Sequence, residues 1–268
     1  MVLVEACNKT FYLNSRIKSS LDIILKKAIP KKWDCLLIVW GREGSGKTSF
    51  ASQVAGYLDP KGFCVDRVVF NPTQFETVIE SVPDESAILW DEAITGASSS
   101  EHASRIQQSI IKRLTQIRKK KLKIILCFPY LDMLNRYFIS RCMGSYYIYA
   151  NGFDKRGNGI FFSSRKTERL YNLMKIKFRY DYRKAVSSSR SSFRFNFAST
   201  LIMDEPSYEQ KKDGARNTVE LSSREQVWKE RFLKTVLFVK GNGVSMRSIA
   251  ENLGIGHSYI SEEIRQMA

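Results

Sequence analysis

Apolar positions along the 268-residue chain fall into short unbroken runs separated by stretches of helical spacing. Leu36, Leu37, Ile38, Val39 and Trp40 form one run of buried-strand length, and comparable runs lie at 65–70, 87–91, 123–128 and 145–149. Unbroken runs are what a strand shows when helices cover both faces of its sheet. Between them, residues 15–28 carry Ile17, Leu21, Ile24, Leu25 and Ala28 at helical spacing, and Phe50, Val54 and Leu58 do the same after the first run. Residues 74–81 read as a helix ended before Pro83. Residues 101–119 place Ile106, Ile110, Leu114 and Ile117 on one stripe and Gln108, Lys112, Thr115 and Lys119 on another. The alternation predicts an α/β fold over residues 1–150: a parallel sheet with helices on both faces.

Past residue 150 the pattern changes. Residues 151–159 are turn-rich and lead into Ile160, Phe161 and Phe162, which suits a β-hairpin. Residues 165–184 interleave basic and aromatic side chains, among them Arg165, Lys166, Arg169, Tyr171, Lys175, Lys177 and Phe178. That texture suits nucleic-acid contact or an edge sheet with its basic residues outward. Phe193, Phe195 and Phe197 alternate like a last strand, so 151–203 reads as a basic, β-rich extension of the core. Residues 204–223 are polar, without apolar periodicity, and read as a linker. Residues 224–268 predict a small three-helix unit in which Ala250, Gly254 and Ile260 have helix-turn-helix spacing. Its DNA-facing surface would be His257, Ser258, Tyr259, Ser261 and Arg265. Glu262 and Glu263 in the same helix would repel phosphates, and a protein-docking role is the alternative.

The chemistry concentrates at residues 41–48, Gly-Arg-Glu-Gly-Ser-Gly-Lys-Thr, which fit G-x-x-x-x-G-K-[ST] at every fixed position. A strand before and a helix after aim backbone N–H groups and a helix dipole at one anion. Gly41, Gly44 and Gly46 let the backbone curl; Arg42, Glu43, Ser45 and Ser49 complete the candidate nucleotide-binding set. Lys47 would reach the β- and γ-phosphates of ATP, and the Thr48 hydroxyl would be a ligand of Mg²⁺. Residues 87–92, Ala-Ile-Leu-Trp-Asp-Glu, are an apolar strand ending in two acids. Lying beside the phosphate-loop strand, it would set Asp91 to support Mg²⁺ and Glu92 to polarise the attacking water. Cys127 stands near the end of the 123–128 run and reads as a buried structural cysteine.

Charge narrows the partners. With 43 Lys and Arg against 27 Asp and Glu, the formal charge is +16, which favours a polyanion, DNA first. No run approaches the ~20 apolar residues of a membrane-spanning helix, and the N-terminal stretch lacks signal-peptide features. Five scattered cysteines and two histidines argue against a structural zinc and for a reducing cytoplasm.

On the two nucleotide motifs and the strand between Asp91 and Pro129, residues 30–150 resemble ATPases of the additional-strand, catalytic-glutamate division. The run L-W-D-E-A-I-T-G, a serine-rich loop, a helix and R-K-K-K-L-K-I-I-L-C-F-P are similar to ATPases of viruses and plasmids of the zonula occludens toxin and FtsK–HerA types. Cys127 stands where the FtsK–HerA group tends to carry glutamine, and the toxin-type membrane segment is absent. Arg42 is similar to the cis-acting arginine of packaging terminases, although Asp154, Glu168 and Asp181 are too sparse for a terminase nuclease. The resemblance implies a homo-oligomer, expected as a ring, completed by an arginine in trans, for which Arg105, Arg113, Arg118, Arg136 and Arg141 are candidates. The expected activity is Mg²⁺-dependent ATP hydrolysis driving DNA translocation or packaging. The rivals are an ATP-gated DNA-binding regulator and a small-molecule kinase.

Overall fold

The computed structural model describes residues 2–33, 35–91, 108, 111–113, 116–152, 156–178, 181–217, 223–254, 256 and 258. It divides into two units, residues 1–217 and residues 218–268. The first opens with a hairpin, β1 (Val2–Ala6) and β2 (Lys9–Leu13), paired antiparallel. Its turn puts Cys7 and Asn8 at φ of 53° and 59°, the conformation of a two-residue hairpin turn that matches strand twist. Helix α1 (Ser15–Ile23), capped by the Asn14 side chain, runs on through a π turn at Ile24–Ala28.

The main sheet follows. It contains β3 (Cys35–Trp40), β4 (Val68–Val69), β5 (Ala87–Asp91), β6 (Lys123–Phe128), β7 (Gly144–Tyr149), β8 (Asn158–Ser163) and β9 (Phe193–Asn196), in the order β4-β5-β6-β3-β7-β8-β9. The first five are mutually parallel, and β8 and β9 extend the sheet antiparallel. Helices α2 (Lys47–Leu58), α3 (Pro72–Ser81), α4 (Arg136–Arg141), α5 (Ser164–Ile176) and α6 (Tyr182–Ser188) cover it. This mostly parallel, two-sided arrangement is the P-loop NTPase fold. The pleat sorts the core: Leu37, Val39, Leu89, Ile125, Cys127, Tyr146 and Ile148 meet α1 and α2, while Ile38, Trp40, Ile88, Trp90, Ile124, Leu126 and Phe128 meet α3 to α6.

Four expectations are corrected. The acidic strand β5 is not beside the phosphate-loop strand β3, because β6 pairs with both. The run at 65–70 gives a 3₁₀ turn and only two strand residues. Residues 165–184 are largely helical: Thr167, Leu170, Tyr171 and Met174 are buried at i, i+3, i+4 and i+7, leaving most of the basic side chains on the other faces. The expected linker is helical over α7 (Glu205–Asn217) and belongs to the first unit. Its stripe contains only Tyr208 and Ala215 as buried apolar residues, too few to register as a period. Of the expected helix at 101–119, Gln108, residues 111–113 and residues 116–119 are described and helical, with Ile117 buried.

In the second unit, α8 (Ser223–Gly241) and α9 (Met246–Leu253) pack through Val236, Ile249 and Ala250. Ser245 caps α9 and Gly254 closes it at φ 63°, the left-handed stop that glycine takes readily. The expected third helix lies outside the described residues except for Ser258, which is helical and exposed. Among the described residues no helix is long and apolar enough to cross a membrane.

One buried cation fastens the sheet. Lys123 opens β6, and its Nζ donates to the carbonyls of Leu58 (3.0 Å) and Glu85 (2.5 Å), with burial holding its ammonium below the usual lysine range. Lys123→Met leaves both carbonyls without that donor and is expected to cost about 1–3 kcal/mol, read as a lower midpoint in urea unfolding. An unchanged midpoint would remove this fastening role.

Candidate nucleotide site

At the carboxyl end of β3 the chain enters the glycine loop. Gly41 sits at φ +148°, and a Cβ there would meet the Ile148 carbonyl oxygen of β7 at 2.0 Å, so only glycine lets the loop leave the sheet this closely. Gly46, at φ +95°, turns the loop into α2. Asn14, Asn71, Asn135 and Asp181 cap α1, α3, α4 and α6 through their side chains, whereas no side chain caps α2. Its first-turn N–H groups therefore keep their capacity for an anion. Ser45 is buried, and its Oγ finds no partner among the described residues. Lys47 folds over the loop, its Nζ donating to the carbonyls of Gly41 (2.7 Å) and Arg42 (3.0 Å). Arg42 and Glu43 are exposed and Ser49 is half-buried in the first turn of α2.

The loop and the acidic strand meet although β6 separates them. Val39 and Asp91 both lie level with Cys127 of β6, so the strands end together. Thr48 then reaches across, its Oγ1 donating to Asp91 Oδ2 at 2.7 Å. Cys127 is fully buried between the two strands, as expected of a structural cysteine. A second donor arrives from α7: the Tyr208 hydroxyl, 2.7 Å from the same Asp91 oxygen. Tyr208 is 3% exposed, and burial, reinforced by the Asp91 carboxylate, holds its phenol far above the ordinary tyrosine range. It is a donor at every physiological pH.

Beside the loop tip lies a cavity of about 970 Å³ lined by Arg42, Arg156, Arg183 and Arg194, by Glu43, and by Tyr147 and Tyr149. The two tyrosine rings stack, with centroids 5.6 Å apart at 16°. Among the described residues, four guanidiniums against one carboxylate make this an anion-attracting surface. Neither the cavity nor Tyr208 was singled out by sequence reading. The available signal for Tyr208 was that it is the one aromatic residue in the polar stretch 204–223.

The structure thus brings together Gly41, Gly44, Ser45, Gly46, Lys47, Thr48 and Asp91. Glu92, His257, Tyr259, Ser261 and Arg265 lie outside the described residues, as does Arg105. Of the other candidate arginines, Arg113 pairs with Glu76 (3.4 Å) and Glu80 (3.1 Å), and Arg118 donates to the Lys32 carbonyl. Arg136 approaches Glu168 at 3.8 Å, and Arg141 donates to the Tyr137 hydroxyl.

The residues present fit a triphosphate with Mg²⁺. Positive-φ glycines shape a concave backbone, an uncapped helix start and an orphaned buried hydroxyl supply donors, and a hydroxyl–carboxylate pair supplies hard oxygen. Neither a protein-family model nor a curated protein matches the chain. Among solved structures, the chain is similar to the Thermotoga maritima RuvB Holliday junction branch migration motor at 14% identity, covering 93% of this chain and 85% of that one, with a TM-score of 0.37. It is also similar to the FIGL-1 AAA domain in complex with ADP at 12% identity, covering 79% and 90%, with a TM-score of 0.35. Likeness at that level carries no functional argument, which must come from the site.

Gly44 and Gly41 separate space from backbone strain. A Cβ at Gly44, at φ +72°, would meet nothing within 4 Å, so Gly44→Ala is expected to cost about 1–2 kcal/mol of strain. Gly41→Ala adds a collision with a backbone carbonyl and should cost about 3 kcal/mol or more. Thermal unfolding of the two variants checks the order; equal losses would contradict it.

Proposed function

We propose that this chain is a Mg²⁺-dependent ATPase acting on DNA, a translocase or packaging-type motor. The observation that carries the reading is the Thr48–Asp91 hydrogen bond at the foot of the glycine loop. It pairs a hydroxyl and a carboxylate from separate segments where the loop's N–H groups converge, and a merely structural glycine turn has no use for that pair.

Each residue then has a part. The loop amides and Lys47 hold the β- and γ-phosphates, with Lys47 exchanging its two carbonyl acceptors for phosphate oxygens. Thr48 and Asp91 would hold Mg²⁺, Thr48 through its hydroxyl and Asp91 as the carboxylate that accepts from it. Bound there, the ion neutralises charge developing on the phosphoryl oxygens. Glu92, next in the chain, orients the attacking water and accepts its proton. The +16 charge and the four-arginine cavity support a polyanionic partner. The α8–α9 pair, with α9 capped by Ser245 and stopped by Gly254, supports a second DNA contact through His257, Ser258, Tyr259, Ser261 and Arg265. A ring completed by an arginine in trans belongs to the same proposal.

The second reading, an ATP-gated DNA-binding regulator, draws on that same helix pair, because a non-specific pump needs no site-reading unit. The experiment is ATP hydrolysis with and without long double-stranded DNA. The motor reading expects stimulation of severalfold, abolished by Lys47→Ala and lowered by about 10²-fold or more in Glu92→Gln. Slow turnover unmoved by DNA, with ATP still changing DNA affinity, favours the regulator. Normal hydrolysis by Glu92→Gln would falsify the assignment of the water-activating residue.

The cavity gives a separate test of the partner. Arg183→Glu with Arg194→Glu is expected to weaken DNA binding and to reduce its salt dependence, while nucleotide affinity stays near the parent value. Unchanged DNA affinity would place the polyanion elsewhere.

A further inference from the structure

Beyond β9 the chain doubles back along α2 as a strap, residues 197–217. Gln53, fully buried on α2, donates its Nε2 to the carbonyls of Ala198 (2.6 Å) and Thr200 (2.9 Å). Lys9 Nζ donates to the Met203 carbonyl at 2.9 Å. Ile202 lies so close to Gly56 that a Cβ there would come within 2.1 Å of its Cδ1. Asp204 caps α7 through the Ser207 N–H, and Lys211 Nζ donates to the carbonyls of Val65 and Asp66, each at 3.0 Å. These fastenings end on backbone carbonyls, apolar surface or a local cap, and would hold a helix of any purpose.

Tyr208 is different. A buried phenol needs an acceptor, and a backbone carbonyl suffices, as Tyr171 shows by donating to Leu134 at 3.0 Å. Tyr208 instead donates to Asp91, the one buried carboxylate among the described residues. It uses the very oxygen that accepts from Thr48, and its ring centroid rests 5.7 Å from that of Phe70. Two donors from two elements 160 positions apart therefore fix the direction of one carboxylate.

We propose that Tyr208 is a positioning residue for Asp91, so that docking of the strap and loading of the Mg²⁺–triphosphate site are one linked equilibrium. The inference rests on the nucleotide reading above. Linkage is reciprocal: whatever factor strap docking adds to Mg²⁺-nucleotide affinity, loading adds to strap docking.

The test uses the full chain and a fluorescent, non-hydrolysable ATP analogue, titrated in Mg²⁺ and in EDTA, with amide hydrogen exchange followed over residues 205–217. In the parent, Mg²⁺-analogue should bind and slow exchange in that segment. Tyr208→Phe should bind about tenfold more weakly in Mg²⁺, be unchanged in EDTA, and lose the added protection. Lys211→Gln loosens α7 without touching Asp91 and should lower the Mg²⁺-dependent affinity in the same way. It carries the test alone if Tyr208→Phe fails to fold. If the parent shows no Mg²⁺-dependent binding, the nucleotide reading fails and this inference with it. Parent binding with both variants unchanged in Mg²⁺ dependence and protection overturns the inference alone.

Discussion

The buried carboxylate of Asp91 is the constraint on which the rest depends. A carboxylate removed from water at the end of a sheet is costly unless donors replace its hydration. Its two donors come from far along the chain in both directions: Thr48 from the glycine loop, Tyr208 from the strap. For Thr48 to arrive, β3, β6 and β5 must end level, and Gly41 must let the loop pass tight against β7. For Tyr208 to arrive, residues 197–207 must lie along α2, which the buried Gln53 and the missing side chain at Gly56 permit. The shape of the α2 face therefore follows from the needs of one oxygen atom.

The central strands were legible because burial on both faces leaves contiguous apolar runs, and β3, β5, β6 and β7 have them. The loop was legible because its glycines answer backbone demands that no other residue meets. The hairpin β1–β2 was not. Leu3 and Tyr12 point to solvent, blurring the alternation, and the turn is made by Cys7 and Asn8 in place of a glycine signal. The placement of β6 between β3 and β5 could not come from spacing, since strand order depends on contacts between segments. In the site, Thr48 and Asp91 were readable from motifs. The Asp91–Tyr208 bond spans 117 positions, and a lone tyrosine in a polar helix leaves no local pattern to announce it.

Charge acts through how the cations are used. Lys9, Lys120, Lys123 and Lys211 each donate to backbone carbonyls. A carbonyl satisfies an ammonium's hydrogen bonds without cancelling its charge, so these lysines fasten the fold while leaving the field positive. Among the described residues lining the cavity, Glu43 is the one acid beside its four arginines. Structural lysines thus add to the same potential that the cavity focuses, and attraction of a polyanion follows from both together.

Motor and switch place different demands on the strap. A motor must make and break its couplings every cycle, so the bond that reports the nucleotide state has to be released without unfolding its neighbours. The strap meets this condition, because its bonds to Gln53, Lys9 and Lys211 involve no group of the loop or of Asp91. Tyr208 and Lys211 share α7, so release of Asp91 is felt along that helix while the bonds from Gln53 and Lys9 keep residues 198–203 docked. A persistent switch would gain from the opposite design, in which the whole strap leaves at once. On the function proposed above, that division of the strap suits a coupling made and broken in every cycle.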